Sequence, residues 1–431
     1  MTRARKIIVG GFLVRAFVGQ ALFWISWLRL PIAPSLQIGD GFWFFAPDGP
    51  EYLRLASEAA AHGLRGIFFL ADRTPSHLFV RLLAILVASL GGLASLAILI
   101  NCAAYALTCA VLVRLTRNPV LLAAVAFSPA AMLFSLQLLK DTLFFFLIVL
   151  TIAIFRRWQE LWRGGGTRGS LPACAAAMLA AVYALAGIRW YFAAIVWGAS
   201  AIFFVLASWP ARRRGAALAA SAVLFVLLAQ CVRLGSLDMP PQIARLLDPA
   251  TAFQSKPEAV TKLVGKARRG FDNTPGATTI ATGPSVASTP IPQTVADRLT
   301  TGLSATFLPR FLAQPLGLIR VGGSRGFWLF AEVDTIVFDL VLIYVFFHCL
   351  RALRNGTARA TPLLVLAILA FTILAGLMSY TVNNFGTLIR LRQMLYAIAV
   401  VTPVTLLHRQ REENATSGGD RYEGDKTYEE V

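Results

Sequence analysis

Residues 7–28 read IIVGGFLVRAFVGQALFWISWL, an apolar run that follows the basic leader Thr2-Arg3-Ala4-Arg5-Lys6. A helix needs about 20 apolar residues, at ~1.5 Å each, to cross the ~30 Å hydrocarbon core of a bilayer. This run has that length, and Lys and Arg collect on the cytoplasmic side of membrane proteins. The segment therefore predicts a first transmembrane helix with a cytoplasmic N-terminus, followed by an exterior loop at residues 29–77.

The composition indicates that the rest of the chain also lies in a membrane. Of 431 residues, 57% are hydrophobic and 14% are charged, whereas soluble proteins carry roughly 25% charged residues. The formal net charge of +18 could suggest nucleic acid, but most arginines lie in short gaps between apolar runs, as expected for topology signals. We expect a lipid bilayer as the partner and no nucleic acid.

The same tests of length and flanking charge predict an all-α integral membrane protein with about ten transmembrane helices. Residues 80–113 are too long for one helix and contain a Gly91-Gly92 break, so residues 80–90 are predicted to lie at the interface or to re-enter. The other predicted spans are a hairpin at 120–155 and single helices at 171–187, 190–209, 216–232, 333–350, 362–380 and 394–407.

This pattern divides the chain into four parts. We predict an N-terminal transmembrane bundle at 1–232, an exterior region at 233–331, C-terminal transmembrane helices at 332–408 and a disordered cytoplasmic tail at 409–431. Both termini are then cytoplasmic in a multi-pass protein, and the Ala- and Arg-rich usage suggests a bacterial inner membrane.

The exterior region is predicted to contain two amphipathic interfacial helices separated by a flexible segment. A basic helix is expected at residues 255–269, and Thr274–Pro292 has the composition of a flexible lid or linker. The second helix carries an apolar stripe of Val295, Leu299, Leu303 and Phe307, which either packs over the membrane core or serves a substrate.

Charged residues that break the positive-inside rule are the best functional candidates in a membrane sequence. In the first exterior loop, Asp48 precedes a helix that includes Tyr52, where it is either a helix cap or a catalytic base. Asp40 is a second candidate base, although an Asp between glycines favours a turn.

The other candidates are basic residues and one carboxylate near predicted outward turns. Lys140 and Asp141 lie at the tip of the short hairpin, as a self-neutralising pair or as site residues. Arg189 sits between two spans beside aromatic residues, where it either snorkels or binds a ligand. Arg390 and Arg392 contradict the charge rule most directly, and two arginines suit the oxygens of a phosphate.

Carboxylates and cations gathered at the outer leaflet fit sugar transfer from a lipid-phosphate donor. Asp48 would accept the proton of the acceptor as general base. Lys140, Arg189, Arg390 and Arg392 would hold the leaving phosphate as its charge develops. No cofactor is predicted, although His62 and His77 share a loop with Asp72 and leave a divalent metal possible.

Three motifs together resemble the type-C glycosyltransferase superfamily over roughly residues 1–410. They are Asp48-x-x-x-Tyr52, the stretch from Phe127-Ser128-Pro129 to Leu139-Lys140-Asp141, and Asn384-x-Gly386-Thr387-x-x-Arg390-x-Arg392. The resemblance implies an inverting membrane enzyme that uses a polyprenyl-phosphate-linked sugar. It also implies Asp48 as the catalytic base, assisted by Asp141.

Two other functions fit the same pattern. An O-antigen-type polymerase or ligase also uses polyprenyl pyrophosphate and exterior arginines. A non-catalytic polysaccharide assembly or transport protein would need neither carboxylate, and a transporter would show polar or broken helices at mid-membrane.

Overall fold

The computed structural model describes residues 3–70, 74, 76–91, 94–116, 118–164, 170–211, 213–237, 239–247, 280–281, 294–316, 318, 320–321, 325–382 and 385–408. These residues form an all-α fold with a few short strands. The helices are α1 Arg3–Trp27, α2 Gly49–Ala61, α3 Gly63–Arg65, α4 His77–Leu90, α5 Ala94–Leu115, α6 Pro119–Phe127, α7 Pro129–Ser135, α8 Asp141–Trp162, α9 Ser170–Ser208, α10 Arg214–Leu234, α11 Pro241–Leu246, α12 Val295–Phe307, α13 Arg310–Ala313, α14 Arg325–Arg354, α15 Pro362–Thr381 and α16 Phe385–Val401.

The strands are short and form three antiparallel pairs. β1 (Gln37–Gly39) pairs with β2 (Phe42–Trp43), β3 (Ile280–Ala281) with β4 (Arg320–Val321), and β5 (Ala358–Arg359) with β6 (Leu407–His408). Single helical turns at Pro34–Leu36, Gly66–Leu70 and Thr402–Thr405 complete the described elements.

Seven helices among the described residues are long and apolar enough to cross a membrane. They are Arg3–Trp27, Ile98–Leu115, Ser170–Ser208, Arg214–Leu234, Leu329–Arg354, Pro362–Thr381 and Phe385–Thr405. The chain is therefore an all-α, multi-pass membrane protein, as its composition predicts. The count of about ten spans is not confirmed.

The shortfall lies in two places. The predicted pair at 171–187 and 190–209 is one 39-residue helix, α9, although Arg189 has non-helical backbone angles (φ −150°, ψ 87°) that divide it into two limbs. The first limb of the predicted hairpin is split by Pro129 into α6 and α7, neither of which is long enough to span. The second limb, α8, is not among the seven helices either.

The break between α6 and α7 is held open by charged side chains. Pro129 has no N–H, and the Ala130 N–H donates to Asp334 Oδ1 (2.8 Å), so the carbonyls of Val125 and Ala126 lose their usual helical partners. Arg15 of α1 donates to both carbonyls, at 3.3 and 2.8 Å. Its guanidinium is 1% exposed and therefore acts as a buried cap on the negative end of α6.

The predicted break at Gly91 is present. This glycine has φ +86°, a value that favours glycine, and it separates α4 from α5. α4 packs on α2 and α9, while α5 packs on α1 and α8. Gly92 lies outside the described residues.

The second amphipathic helix is present as α12, and a capping box between Thr294 and Asp297 begins it. The predicted apolar stripe coincides only in part with the buried face: Val295 is 58% and Leu303 is 40% exposed, whereas Phe307 packs against Phe338. The buried face instead centres on Gly302, where an added Cβ would lie 2.0 Å from the Ser379 carbonyl oxygen. Close backbone packing against α15, made possible by glycine, therefore sets the orientation of this helix.

Several predicted segments lie outside the described residues. These are the basic helix at 255–269, the tail at 409–431, and the segment 274–292 apart from the strand Ile280–Ala281. Among the described residues, one cluster of buried side chains extends from Phe23 in α1 to Val401 in α16. The four-part division stays a prediction.

The helical bundle has two chemically different ends. At one end Arg156 of α8 donates to the Val404 carbonyl (3.0 Å), close to where β5 and β6 pair. Asp141, at the start of the same helix, lies about 22 Å away along it at ~1.5 Å per residue. The site described next surrounds Asp141.

Candidate functional site

Five charged residues that are distant in sequence meet at one end of the bundle, and we call them the polar cluster. Four separate parts of the fold supply them. The members are Asp48 before α2, Lys140 and Asp141 at the start of α8, Arg189 at the division of α9, and Arg390 in α16. Sequence reasoning had placed all five near the exterior surface, and the fold brings them into one group.

Asp141 is the centre of the polar cluster. Its side chain is 3% exposed and lies between two guanidinium groups. Arg189 Nη2 donates to Oδ1, and Arg390 Nε donates to Oδ2 at 2.7 Å. Because both oxygens are occupied and almost no solvent reaches them, Asp141 is suited to hold the two arginines in place rather than to accept a substrate proton.

Asp48 differs from Asp141 in its access to solvent. Arg390 Nη1 donates to Asp48 Oδ2, so a single arginine bridges the two carboxylates. The Asp48 side chain is nevertheless 45% exposed. Of the two predicted catalytic carboxylates, only Asp48 is placed where a bound molecule could reach it.

Arg189 owes its position to the interruption in α9. Its side chain donates to Asp141 and also contacts the Tyr191 hydroxyl, at 3.3 Å from Nη1. The adjacent carbonyl of Ile188 accepts a hydrogen bond from Ser76 Oγ at 3.1 Å. The interruption therefore supplies both a buried cation and a backbone acceptor, which an uninterrupted helix would not provide.

Lys140 and Tyr52 form the side of the polar cluster next to α4. The Lys140 ammonium contacts Ser76 Oγ and lies 5.5 Å from the centroid of the Tyr52 ring. Burial, followed by the nearby arginines Arg189 and Arg390, lowers the pKa of Lys140 to about 7. Burial raises the pKa of Tyr52 to about 12, so the phenol keeps its proton at neutral pH.

We predict that anion binding at the polar cluster weakens as pH rises through about 7, because the Lys140 ammonium, and with it one positive charge, is lost there. The affinity of the full chain for a single-chain phosphodiester lipid, which has no second ionisation of its own, would be measured across this range. Lys140→Arg keeps its charge and should abolish the pH dependence. An unchanged affinity of the unmodified chain across that range would contradict the prediction.

Arg392 does not join the polar cluster. It is buried inside the bundle, where Nη2 pairs with Asp334 and Nη1 donates to Thr335 Oγ1 at 2.7 Å. Arg390 and Arg392 were expected to lie together at one outer turn, but α16 already begins at Phe385. The two arginines are therefore two residues apart on a helix, and their side chains point to different sides. Asn384 of the proposed motif lies outside the described residues.

Asp40 also lies apart from the polar cluster. It has φ +54° between Gly39 and Gly41, in the turn that joins β1 to β2. Asp tolerates this left-handed conformation better than most residues. The structure thus places Asp40 in a turn, apart from the polar cluster.

The charges of the polar cluster leave an excess of one positive charge when Lys140 is protonated, because two carboxylates face three cations. Two buried donors, Arg390 Nη2 and Arg189 Nε, have no hydrogen-bond partner among the described residues. Unpaired guanidinium N–H groups beside a net positive charge favour an anion, above all a phosphate.

The space beside the polar cluster is small. A narrow pocket lies between the two arginines, lined also by Phe144, Ile148 and Met394, and it has no room for a water-sized molecule. Pockets for drug-sized molecules hold roughly 300–1,000 Å³. An anion would therefore approach the polar cluster from its exposed side, next to Asp48.

The described residues bring no group of three His, Cys, Asp or Glu side chains together as a metal site. Of the loop considered for a metal, His62 and His77 are described and Asp72 is not. The carboxylates of Asp48 and Asp141 are engaged with arginines rather than with each other.

Sequence reasoning missed three buried polar residues: Ser76, which contacts Lys140 in the polar cluster, and Arg15 and Asp334, which hold the break between α6 and α7. Arg15 and Asp334 each interrupt an apolar run, and a charge in such a run is a signal in itself. Ser76 has no comparable signal, because its role depends on the backbone interruption at Arg189, more than a hundred residues away.

Comparison with known proteins finds no relative: no protein-family model, curated protein or solved structure matches this chain. The class that the fold defines is an all-α, multi-pass membrane protein with a buried cationic cluster at one end.

Proposed function

We propose that this chain is a membrane glycosyltransferase that transfers a sugar from a polyprenyl-phosphate-linked donor, on the extracytoplasmic face, during assembly of cell-envelope or surface polysaccharide or glycolipid. One observation carries the proposal. The half-exposed carboxylate of Asp48 lies against Arg390, whose guanidinium also joins the buried Asp141. A base and a phosphate-binding cation are thus held next to each other.

In the proposed reaction, Asp48 accepts the proton of the acceptor hydroxyl while the acceptor oxygen attacks the anomeric carbon from the side opposite the phosphate. The bond between that carbon and the phosphate oxygen breaks, and the configuration inverts. Negative charge develops on the departing lipid phosphate, where Arg390 and Lys140 stabilise it. Asp141 acts as a positioning residue for Arg189 and Arg390.

We expect Asp48→Asn to reduce sugar transfer by about 10²- to 10⁴-fold, the usual contribution of a general base. Transfer would be measured in membranes with a panel of polyprenyl-phosphate sugars and normalised to the amount of folded chain. Asp40→Asn, in the β1–β2 turn, is the matched control and should keep full activity. Full transfer by Asp48→Asn would remove the mechanism.

A transport function is the second candidate, because the break between α6 and α7 resembles the discontinuous helices of transporters. In such helices the free helix ends hold the cargo. Here Arg15 occupies the carbonyl end of α6 and Asp334 occupies the N–H end of α7. With both ends filled by the chain's own side chains, the break favours a structural role over a cargo site.

A further inference from the structure

The acidic residues of the seven apolar helices all lie in α14, within the span Leu329–Arg354, and they are Glu332, Asp334 and Asp339. Glu332 accepts the Arg310 N–H at 2.8 Å, and Asp334 pairs with Arg392. Asp339 makes no hydrogen bond or ion pair with the residues that the structure describes. It therefore differs from the other two carboxylates, each of which has a partner inside the fold.

Asp339 lies near the middle of the membrane. It follows Leu329, where the span begins, by a rise of about 15 Å along the helix, which is half of the ~30 Å hydrocarbon core. Lipid tails offer no hydrogen-bond partner, so an isolated carboxylate at this depth is strongly unfavourable, and a neutral carboxylic acid also loses its hydrogen bonds to water. A protein group that meets Asp339 at this depth would remove that cost.

Asp339 belongs to a stripe of side chains on the outer flank of α14, which we call the α14 seam. Its members recur at alternating intervals of three and four residues, and they are Ile336, Asp339, Ile343, Phe346 and Leu350. The four apolar members are between 38% and 62% exposed, whereas Phe338, Val341 and Val345 on the opposite flank are buried in the bundle. Two helices that pack along a left-handed seam meet through side chains with this spacing.

A second copy of the chain is the partner that suits Asp339. Two copies related by a twofold axis along the membrane normal place each residue of the seam opposite its own equivalent, at the same depth. A protonated carboxyl offers both an O–H donor and an acceptor oxygen, so two Asp339 side chains can hydrogen-bond to each other when at least one keeps its proton. One polar residue within an apolar seam also fixes the register of the two helices.

We propose that two copies of this chain associate through the α14 seam, with the Asp339 side chains of the two copies hydrogen-bonded to each other in the middle of the membrane. The apolar members above and below Asp339 pack against their equivalents and keep lipid away from the carboxyl pair. None of the residues of the polar cluster takes part, so the association does not depend on the proposed function.

The first test measures association of the full chain in liposomes. Chains labelled separately with a donor or an acceptor fluorophore would be reconstituted over a range of protein-to-lipid ratios, and energy transfer should reveal a dimer. Asp339→Leu should raise the dissociation constant by about tenfold, equivalent to ~1.4 kcal/mol. Asp339→Asn keeps a donor and an acceptor and should retain the dimer. Leu340→Ala, at an exposed position outside the seam, is the control and should also retain it.

A disulfide between equivalent positions identifies the partner as a second copy. In a variant without its native cysteines, copper phenanthroline should cross-link Ile343→Cys between copies and leave Leu340→Cys without a cross-link. Thermal unfolding of each variant confirms that folded proteins are compared, and leucine at position 339 suits lipid. A monomer at every protein-to-lipid ratio, equal association of Asp339→Leu and the unmodified chain, or equal cross-linking at positions 343 and 340 would overturn the proposal.

Discussion

Replacing Asp141 with asparagine should destabilise the folded protein by about 3–5 kcal/mol, the usual cost of removing one partner from a buried ion pair. The carboxylate separates Arg189 from Arg390, and both guanidiniums would lose the negative charge between them. The free energy of unfolding would be measured by denaturation of the purified chain in detergent, alongside the sugar-transfer assay.

The control for this prediction is Asp48→Asn. Asp48 pairs with the same Arg390 but is 45% exposed, so its removal should cost no more than about 1 kcal/mol. Asp141→Asn should therefore lower mainly the free energy of unfolding, whereas Asp48→Asn should lower mainly the rate of sugar transfer. Equal stability of Asp141→Asn and the unmodified chain would show that the buried arrangement is absent.

The second large effect is expected from Arg392→Met, also at about 3–5 kcal/mol. This substitution keeps a long side chain but leaves the Asp334 carboxylate unpaired inside the bundle. Asp334 Oδ1 also accepts the Ala130 N–H at the start of α7, so the break between α6 and α7 should loosen with it. Denaturation in detergent measures the loss.

The double variant Arg392→Met/Asp334→Asn sharpens this test, because neutralising both partners removes the unpaired charge. It should be more stable than Arg392→Met alone. Arg54→Met is the surface control: Arg54 pairs with Glu51 and Glu58, but all three side chains are more than half exposed, so its replacement should leave the free energy of unfolding nearly unchanged. If the losses in unfolding free energy caused by the two single substitutions simply add in the double variant, the buried pairing of Arg392 with Asp334 is contradicted.

Much of this architecture follows from local sequence signals. Apolar length predicts α1 and α15 closely, Gly91 predicts the end of α4, and Arg189 marks the interruption of α9. The charged residues selected near predicted outward turns include all five members of the polar cluster, together with Asp40 and Arg392, which lie apart from it. These signals succeed because lipid imposes a strong and uniform constraint on length and charge.

The errors arise where tertiary packing decides. The last span was placed at 394–407, but α16 starts at Phe385, and this earlier start turns Arg392 away from Arg390 towards Asp334. In α12, close packing at Gly302, rather than the predicted apolar stripe, determines which face of the helix is buried. Neither outcome can be read from local periodicity, because each depends on a partner helix that is distant in sequence.

The central claim is that Asp48 and Arg390 lie next to each other on the extracytoplasmic face. A variant without its native cysteines would carry Asp48→Cys and Arg390→Cys, and a short membrane-impermeant bifunctional maleimide would be added to intact cells. The account predicts an intramolecular cross-link between positions 48 and 390, found by mass spectrometry of the digested chain. A cross-link that forms only after the membrane is permeabilised, or that never forms although both cysteines react singly, would contradict it.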